Sequence, residues 1–362
     1  MGLEFWRVGQ LRPATIDKES VQLEQAGWDG ILMGDNQCLV GDCYVGLAIA
    51  ATATSTLKLG VGVTNPVTRH PSLTAAAAAN VQQISGGRMV LGMGRGDSSL
   101  AHIGLAPAAP ARFESYVRHV QAYLRGEGVP VQELERDGSR PSSELGAAGV
   151  PEQSRLTWLD PAVPKVPVDI AATGPAVIAI AARHGDRVTF GVGADHQRLA
   201  WAMDTAREAR VAAGLDPETL SFGAYVNVVP HPDEAVAMEL AATGVATFSR
   251  FSIMHGKTSG PMSEANRAVL QDVSNTYDLR QHAAGNASHR NAVNADFITS
   301  FGIVGTPTQC VERLVGLREI GLDRVVVLGA YPDASPESEK RVQVSREVLA
   351  GDVFPAVRQR LS

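Results

Sequence analysis

Short apolar runs, bounded by glycine, proline or charge, alternate along the chain with longer stretches whose apolar positions recur at helical spacing. Leu3 to Val8, Gly30 to Gly34, Leu57 to Thr64 and Arg88 to Gly96 read as strands. Between them Lys18 to Ala26, Asp42 to Thr54 and Leu73 to Ile84 read as helices, the last closed by Gly86 and Gly87. In Ala111 to Gly126, Phe113, Tyr116, Val117, Val120 and Tyr123 are spaced to bury one helix face. The strand runs are apolar nearly throughout instead of alternating, as in a parallel sheet covered on both faces.

The pattern breaks at Glu127 to Lys165, a stretch of proline, glycine, serine and charge with no sustained period, and then resumes. VPVDIAATG is a strand, Pro175 to His184 a helix, DRVTFGVG a strand, Gln197 to Ala213 a helix and LSFGAYVNVVP a seventh strand. A helix begins over Asp233 to Arg250, and Phe251 to Asp296 turns polar and mixed, with His255, Lys257, His282 and His289 scattered in it without ligand spacing. Thr306 is placed to cap a helix running to Ile320, with Pro307 at its first position. RVVVLGAY is an eighth strand, and Ser335 caps a terminal helix from Pro336 to Leu361. Eight strands, each with a helical partner, predict an α/β fold, a (β/α)8 TIM barrel, as one domain over residues 1–362 with insertions at about 127–165 and 251–296; an open doubly wound sheet is the alternative order.

Composition narrows the class. With 362 residues, 44% hydrophobic and 19% charged, the chain is long enough for one large barrel. A net charge of −6 leaves no broad basic surface, so nucleic acid is not an expected partner. No apolar run reaches membrane-spanning length, and Met1 to Pro13 reads as strand and turn instead of a leader, which predicts a soluble, cytoplasmic protein. Cys38, Cys43 and Cys310 form no CxxC pair and argue against a disulfide framework or a structural zinc site, and no metal is expected.

In a barrel of this kind the chemistry sits just past the strand ends. Those positions are small and polar: Asp35 and Asn36 after strand two, Thr64 and Asn65 after strand three, Gly94 to Ser99 after strand four, Thr173 and Gly174 after strand five, and Gly191 to Asp195 after strand six. Thr173 and Gly174 precede a helix that begins at Pro175, and a helix start offers free N–H groups and the positive end of a dipole to a phosphate; GVGAD repeats the theme one strand later with Gly191 and Gly193. Gly92 to Ser99, GMGRGDSS, lacks the spacing of a dinucleotide fingerprint, and its glycines read as room for a flat ring against the backbone. Asp97 there is a candidate proton donor or a helix cap, and Arg69 and His70 are a cation and an acid near the barrel mouth, or a solvated loop pair. Gly60 and Gly62 interrupt strand three, LGVGVTNPVTRHP, where glycine calls for a bulge or a closely approached backbone.

Together LGVGVTNPVTRHP, ISGGRMVLGMGRGD, AATGPAVIAIAARHGD and FGIVGTPTQCVERL resemble the luciferase-like monooxygenase superfamily over nearly the whole chain outside the insertions. TNPVTRHP with GRGD is most similar to the branch that uses the deazaflavin coenzyme F420, typified by methylenetetrahydromethanopterin reductase; other branches bind FMN. The resemblance implies a non-prolyl cis peptide at Gly62-Val63 behind the deazaflavin ring, with Asp35, Asn36, Thr64, Asn65, Gly94 and Ser98 around the ring and Thr173, Gly174, Pro175, Gly191 and Gly193 at the phosphate. Trp6 and Arg69 are expected at the substrate, Asp97 as proton donor and His70 as its alternate. Many relatives carry histidine directly after the aspartate, where this chain has Asn36, which transfers no proton at neutral pH. Asp97 and the Ala194–Asp195 pair also depart from the sugar-phosphate dehydrogenase pattern, which disfavours glucose 6-phosphate. The implied activity is hydride transfer from reduced F420 to a C=N, C=C or C=O bond of a small molecule or modified peptide, by a homodimer. The alternatives are an FMN-dependent monooxygenase and a flavin-binding relative without turnover.

Overall fold

The computed structural model describes residues 2–9, 12, 14–134, 140–282, 284–333 and 335–362. Its frame is eight parallel strands: β1 Glu4–Gly9, β2 Gly30–Met33, β3 Lys58–Val61, β4 Met89–Met93, β5 Val168–Ala172, β6 Arg187–Phe190, β7 Ser221–Pro230 and β8 Arg324–Leu328. Each pairs with the next in chain order, and β8 pairs with β1 through Glu4↔Arg324 to Arg7↔Val327, which closes a (β/α)8 barrel. A short strand, Ile303–Gly305, extends the sheet beside the last residues of β7. The sequence pattern gave no separate strand there, because three residues between a helix and a proline-started helix are too few to show a period.

Alternation along the strands sets the barrel interior. Trp6, Leu32, Val90, Val326 and Tyr225 fill its middle. Below them, at the N-terminal ends of the strands, lies a layer of paired charges. Arg324 is 1% exposed and bonds to Asp169 at 3.0 Å, Thr189 donates to the same carboxylate at 2.9 Å, and Glu4 pairs with Lys58 and Arg187. Burial pushes the Arg324 guanidinium down to about 10, against the pull of Asp169, so it stays charged at neutral pH. With this end plugged, the opposite end is left for chemistry.

The helices wrap the strands as their amphipathic faces require. Phe113, Val117 and Val120 of helix Pro110–Leu124 are buried, and Tyr116 Oη and Thr74 Oγ1 meet at 2.7 Å to join it to helix Pro71–Ile84. The first insertion holds a two-residue antiparallel pair, Val129–Pro130 with Gln153–Ser154. The second is more ordered than its polar sequence suggested. Helix Glu234–Ser249 runs into a 3₁₀ stretch, Arg250–Gly256, and helix Glu264–Thr276 buries Val269, Leu270 and Val273. Among the described residues no helix is long and apolar enough to cross a membrane.

Candidate active site

Strand β3 stops early. Gly62 N–H donates to Met33 O at 2.8 Å, the ladder then lapses, and it resumes where Thr64 N–H donates to Gly92 O at 3.0 Å and Gly94 N–H to Thr64 O at 2.9 Å. The peptide bond inside this bulge, Gly62-Val63, is cis. The surrounding glycines answer to packing. A Cβ at Gly60 would collide with Leu32 Cδ2, one at Gly62 would lie 2.8 Å from Leu32 Cβ, one at Gly92 would overlap Val61 O, and one at Gly94 would lie 3.0 Å from Val63 Cγ2. These four glycines therefore make room for the barrel interior and for the bulge itself, one of the two readings the sequence offered for Gly60 and Gly62; at Gly92 and Gly94 the sequence suggested room for a ring.

Beyond the bulge, three strand ends converge. Thr64 Oγ1 donates to Asp35 Oδ2 at 2.7 Å, Asn36 Nδ2 donates to Ser98 Oγ at 3.0 Å, and Asn65 Nδ2 donates to Ser99 Oγ at 3.4 Å. Asn65 Oδ1 accepts from Val67 and Thr68 N–H and so shapes the turn, and Asn36 Oδ1 is buried with no partner among the described residues. Asp35 is 7% exposed, with Arg69 Nε 3.4 Å away; Arg69 also pairs with Asp42 and lies 4.9 Å over the Tyr44 ring. Against its own burial, the Asp42 carboxyl is held low by the Arg69 hydrogen bond and by Val45 and Tyr44 N–H. Cys43 and Tyr44 are pushed up by burial, with Asp35 nearby adding to the effect, so both keep their protons.

Three expected roles change. Trp6 is 1% exposed in the barrel interior, its Nε1 donating to Glu4 Oε2 at 2.8 Å toward the plugged end, so it is a core residue and does not meet substrate at the mouth. His70 caps helix Pro71–Ile84, its Nδ1 accepting from Ser72 N–H at 3.3 Å. Burial and His119 push its imidazole down, which suits a neutral cap better than an acid. Asp97 is ion-paired with Arg250, whose guanidinium donates to it; a carboxylate in such a pair is an acceptor, not a proton donor. Nor does the Asp97 side chain cap the short helix Ser98–Ala101 that follows.

The phosphate end is built by β5 and β6. Gly174 is the N-cap of helix Pro175–His184, with no side-chain cap, so the first N–H groups are unclaimed by a side chain. Thr173 Oγ1 lies 2.8 Å from where a Gly191 Cβ would be, so glycine at 191 lets Thr173 lie flat beside the next strand end. Gly193, at φ +79°, sits against Phe301 and is a turn and packing glycine. Two residues that the sequence did not single out join this end. Ser259 Oγ lies 3.9 Å from the Cβ direction of Gly174, and Arg198 reaches Ser259 O at 3.4 Å and Val192 O at 3.1 Å. Burial pushes Arg198 down to about 10, so it remains a cation at neutral pH, with its Nε unpartnered among the described residues. Arg198 lies inside a helix and Ser259 inside the second insertion, and neither carries a local motif.

The chain matches the luciferase-like monooxygenase family over residues 7–324, most of its length. It belongs to that family. Among family members with known roles, it is 26% identical over 335 residues to the 5,10-methylenetetrahydromethanopterin reductase of Methanolobus tindarius, covering 90% of this chain and 93% of that one. The fold is similar to that of the coenzyme F420-dependent tetrahydromethanopterin reductase of Methanopyrus kandleri, with a TM-score of 0.71 and 23% identity over 98% of this chain and 99% of the other. It is also similar to an F420-dependent secondary alcohol dehydrogenase in complex with an F420–acetone adduct, with a TM-score of 0.69 and 17% identity over 99% of this chain and 100% of the other. This luciferase-like barrel thus has its polar strand ends gathered at one mouth and a buried charge plug at the other.

Proposed function

We propose that this luciferase-like protein is an F420-dependent oxidoreductase, working as a reductase on a C=N, C=C or C=O bond of a small organic molecule or modified peptide. The observation that carries this reading is the pair at the end of β2: buried Asp35, and half-buried Asn36 whose Oδ1 has no partner among the described residues, beside the Gly62–Val63 bulge. That pair fits the polar edge of a deazaflavin, which needs an acceptor for a ring N–H. Sequence likeness to a methylenetetrahydromethanopterin reductase along nine-tenths of the chain supports the same branch.

When bound, the deazaflavin supplies the hydride; the protein supplies position, electrostatics and a proton. Asp35 and Asn36 would meet the ring's polar edge, the Val63 and Thr64 backbone would back the ring, and Asn65 and Ser98 would hold the loops against it. The side-chain-free start of helix Pro175–His184, with Thr173, Gly174, Ser259 and the Arg198 cation behind them, would take the phosphate. Arg69 stays committed to Asp35 and Asp42 and would fix the acceptor carboxylate in place.

The test is anaerobic oxidation of reduced F420, followed by absorbance, against a panel of ketones, enones and cyclic imines. Loss of reduced F420 that depends on an acceptor is expected. No loss with any acceptor, together with oxygen uptake on reduced FMN, would replace this reading with a monooxygenase.

A further inference from the structure

We infer that Tyr277, carried to the barrel mouth by the second insertion, is the proton donor of the proposed reduction and that His282 restores its proton. This rests on the reductase reading above, which needs an acid that neither Asn36 nor the ion-paired Asp97 supplies.

Tyr277 is the residue at which helix Glu264–Thr276 ends, and its Oη lies 2.6 Å from His282 Nδ1. Its ring lies under the Arg250 guanidinium, 4.5 Å from the centroid. Arg250 pairs with Asp97, next to Ser98, which accepts from Asn36. An unbroken chain of contacts thus joins Tyr277 to the strand ends assigned to the deazaflavin. His289 stacks on the ring at 4.3 Å, is fully buried, and has neither ring nitrogen partnered among the described residues. The charged and titratable groups facing Tyr277 are therefore Arg250, His282 and His289, with Asp97 behind Arg250, Asp278 next in the chain and Tyr331 from the loop after β8.

These surroundings suit a donor. Burial raises the phenol above its ordinary range, so the proton is present at neutral pH, and the Arg250 cation over the ring, which acts in the opposite sense, is placed to stabilise the phenolate once the proton leaves. Burial lowers the His282 imidazole, with Asp97 opposing and Arg250 assisting, so it is neutral at pH 7. With Nδ1–H donating to Oη and Arg250 donating beside it, the phenol O–H rests toward Thr247, the contact an acceptor has to displace. As hydride reaches the acceptor carbon, the Tyr277 O–H bond breaks and the proton passes to the acceptor's oxygen, nitrogen or adjacent carbon. His282 then gives its Nδ1 proton to the phenolate while Nε2 takes one from water, releasing hydroxide to solvent; the phenol is restored, and His282, left as the neutral Nε2–H tautomer, regains its Nδ1–H by proton exchange with water.

The experiment compares wild type, Tyr277→Phe and His282→Gln in three readouts: F420 affinity, kcat and KM for reduced F420 with an acceptor on which wild type turns over, and the ultraviolet phenolate titration of the protein without cofactor. Expected are unchanged F420 affinity and KM, with kcat down by roughly the 10²- to 10⁴-fold that general acid catalysis contributes in Tyr277→Phe and by less in His282→Gln. One high-pH phenolate step should vanish in Tyr277→Phe and move in His282→Gln. Tyr277→Phe with kcat within about threefold of wild type, or with F420 affinity lost in step with kcat, overturns the assignment and leaves a structural tyrosine. Wild type that turns over none of the acceptors removes the reductase reading itself, and the inference with it.

Discussion

Gly92 has no room for a side chain, because its Cβ would overlap the Val61 carbonyl that the bulge turns toward β4. The obstacle is backbone, which cannot rotate away as a flexible side chain would. Gly92→Ala should therefore cost on the order of 1–3 kcal/mol, as overpacked positions do, read as a lower urea midpoint at unchanged slope. An unchanged midpoint would mean that the bulge relaxes freely. The glycines of β3 and β4 were legible as positions that needed a reason, but the reason lies in Leu32, Val61 and Val63, which only the folded barrel brings near. Asp97 shows the same limit. Its sequence neighbours suggested an acid, while its partner Arg250 lies 153 residues away, at the end of a helix, where no local pattern points to it. Asp35, Asn36 and Thr64 were readable because each directly follows a strand, and the strand end fixes which way it faces.

At the scale of elements, all eight barrel strands and most helix starts were visible in the sequence, including the Thr306 cap, to which the structure adds a capping box through Gln309, whose Oε1 accepts Thr306 N–H at 2.7 Å. The second insertion was not, since Glu264–Thr276 buries only a narrow stripe and is otherwise polar. One connection has a measurable pH signature. Glu24, at the end of the first helix, accepts from Ser55, Thr56 and Leu57 N–H at 2.9, 2.6 and 2.8 Å and so fixes the turn into β3. Although burial acts to raise it, these hydrogen bonds lower its carboxyl from 4.5 to about 2. A folded value below the unfolded one stabilises the protein above about pH 4.5, and that contribution is lost as pH falls toward 2. Glu24→Gln should lower the melting temperature at pH 7 and differ progressively less from wild type as pH falls through that window. A difference that stays constant with pH would show that the hydrogen bonds, not the charge, set the effect.

The whole barrel divides its labour between its two ends. Arg324, Asp169, Thr189 and Glu4 seal the N-terminal end with paired charge, while the C-terminal end gathers Asp35, Asn36, Thr64, Ser98, Thr173 and Gly174 under a cover from the second insertion. That separation follows from parallel strands closing in chain order, so the alternation of strands and helices alone located the mouth. The choice between deazaflavin and flavin rests on finer contacts at the ring edge and the phosphate. Equilibrium binding of oxidised F420 and FMN to the same preparation, followed by fluorescence, tests it most directly. The account predicts that F420 binds at least about tenfold more tightly, a difference of ~1.4 kcal/mol. FMN binding as tightly as F420, or more tightly, would contradict it.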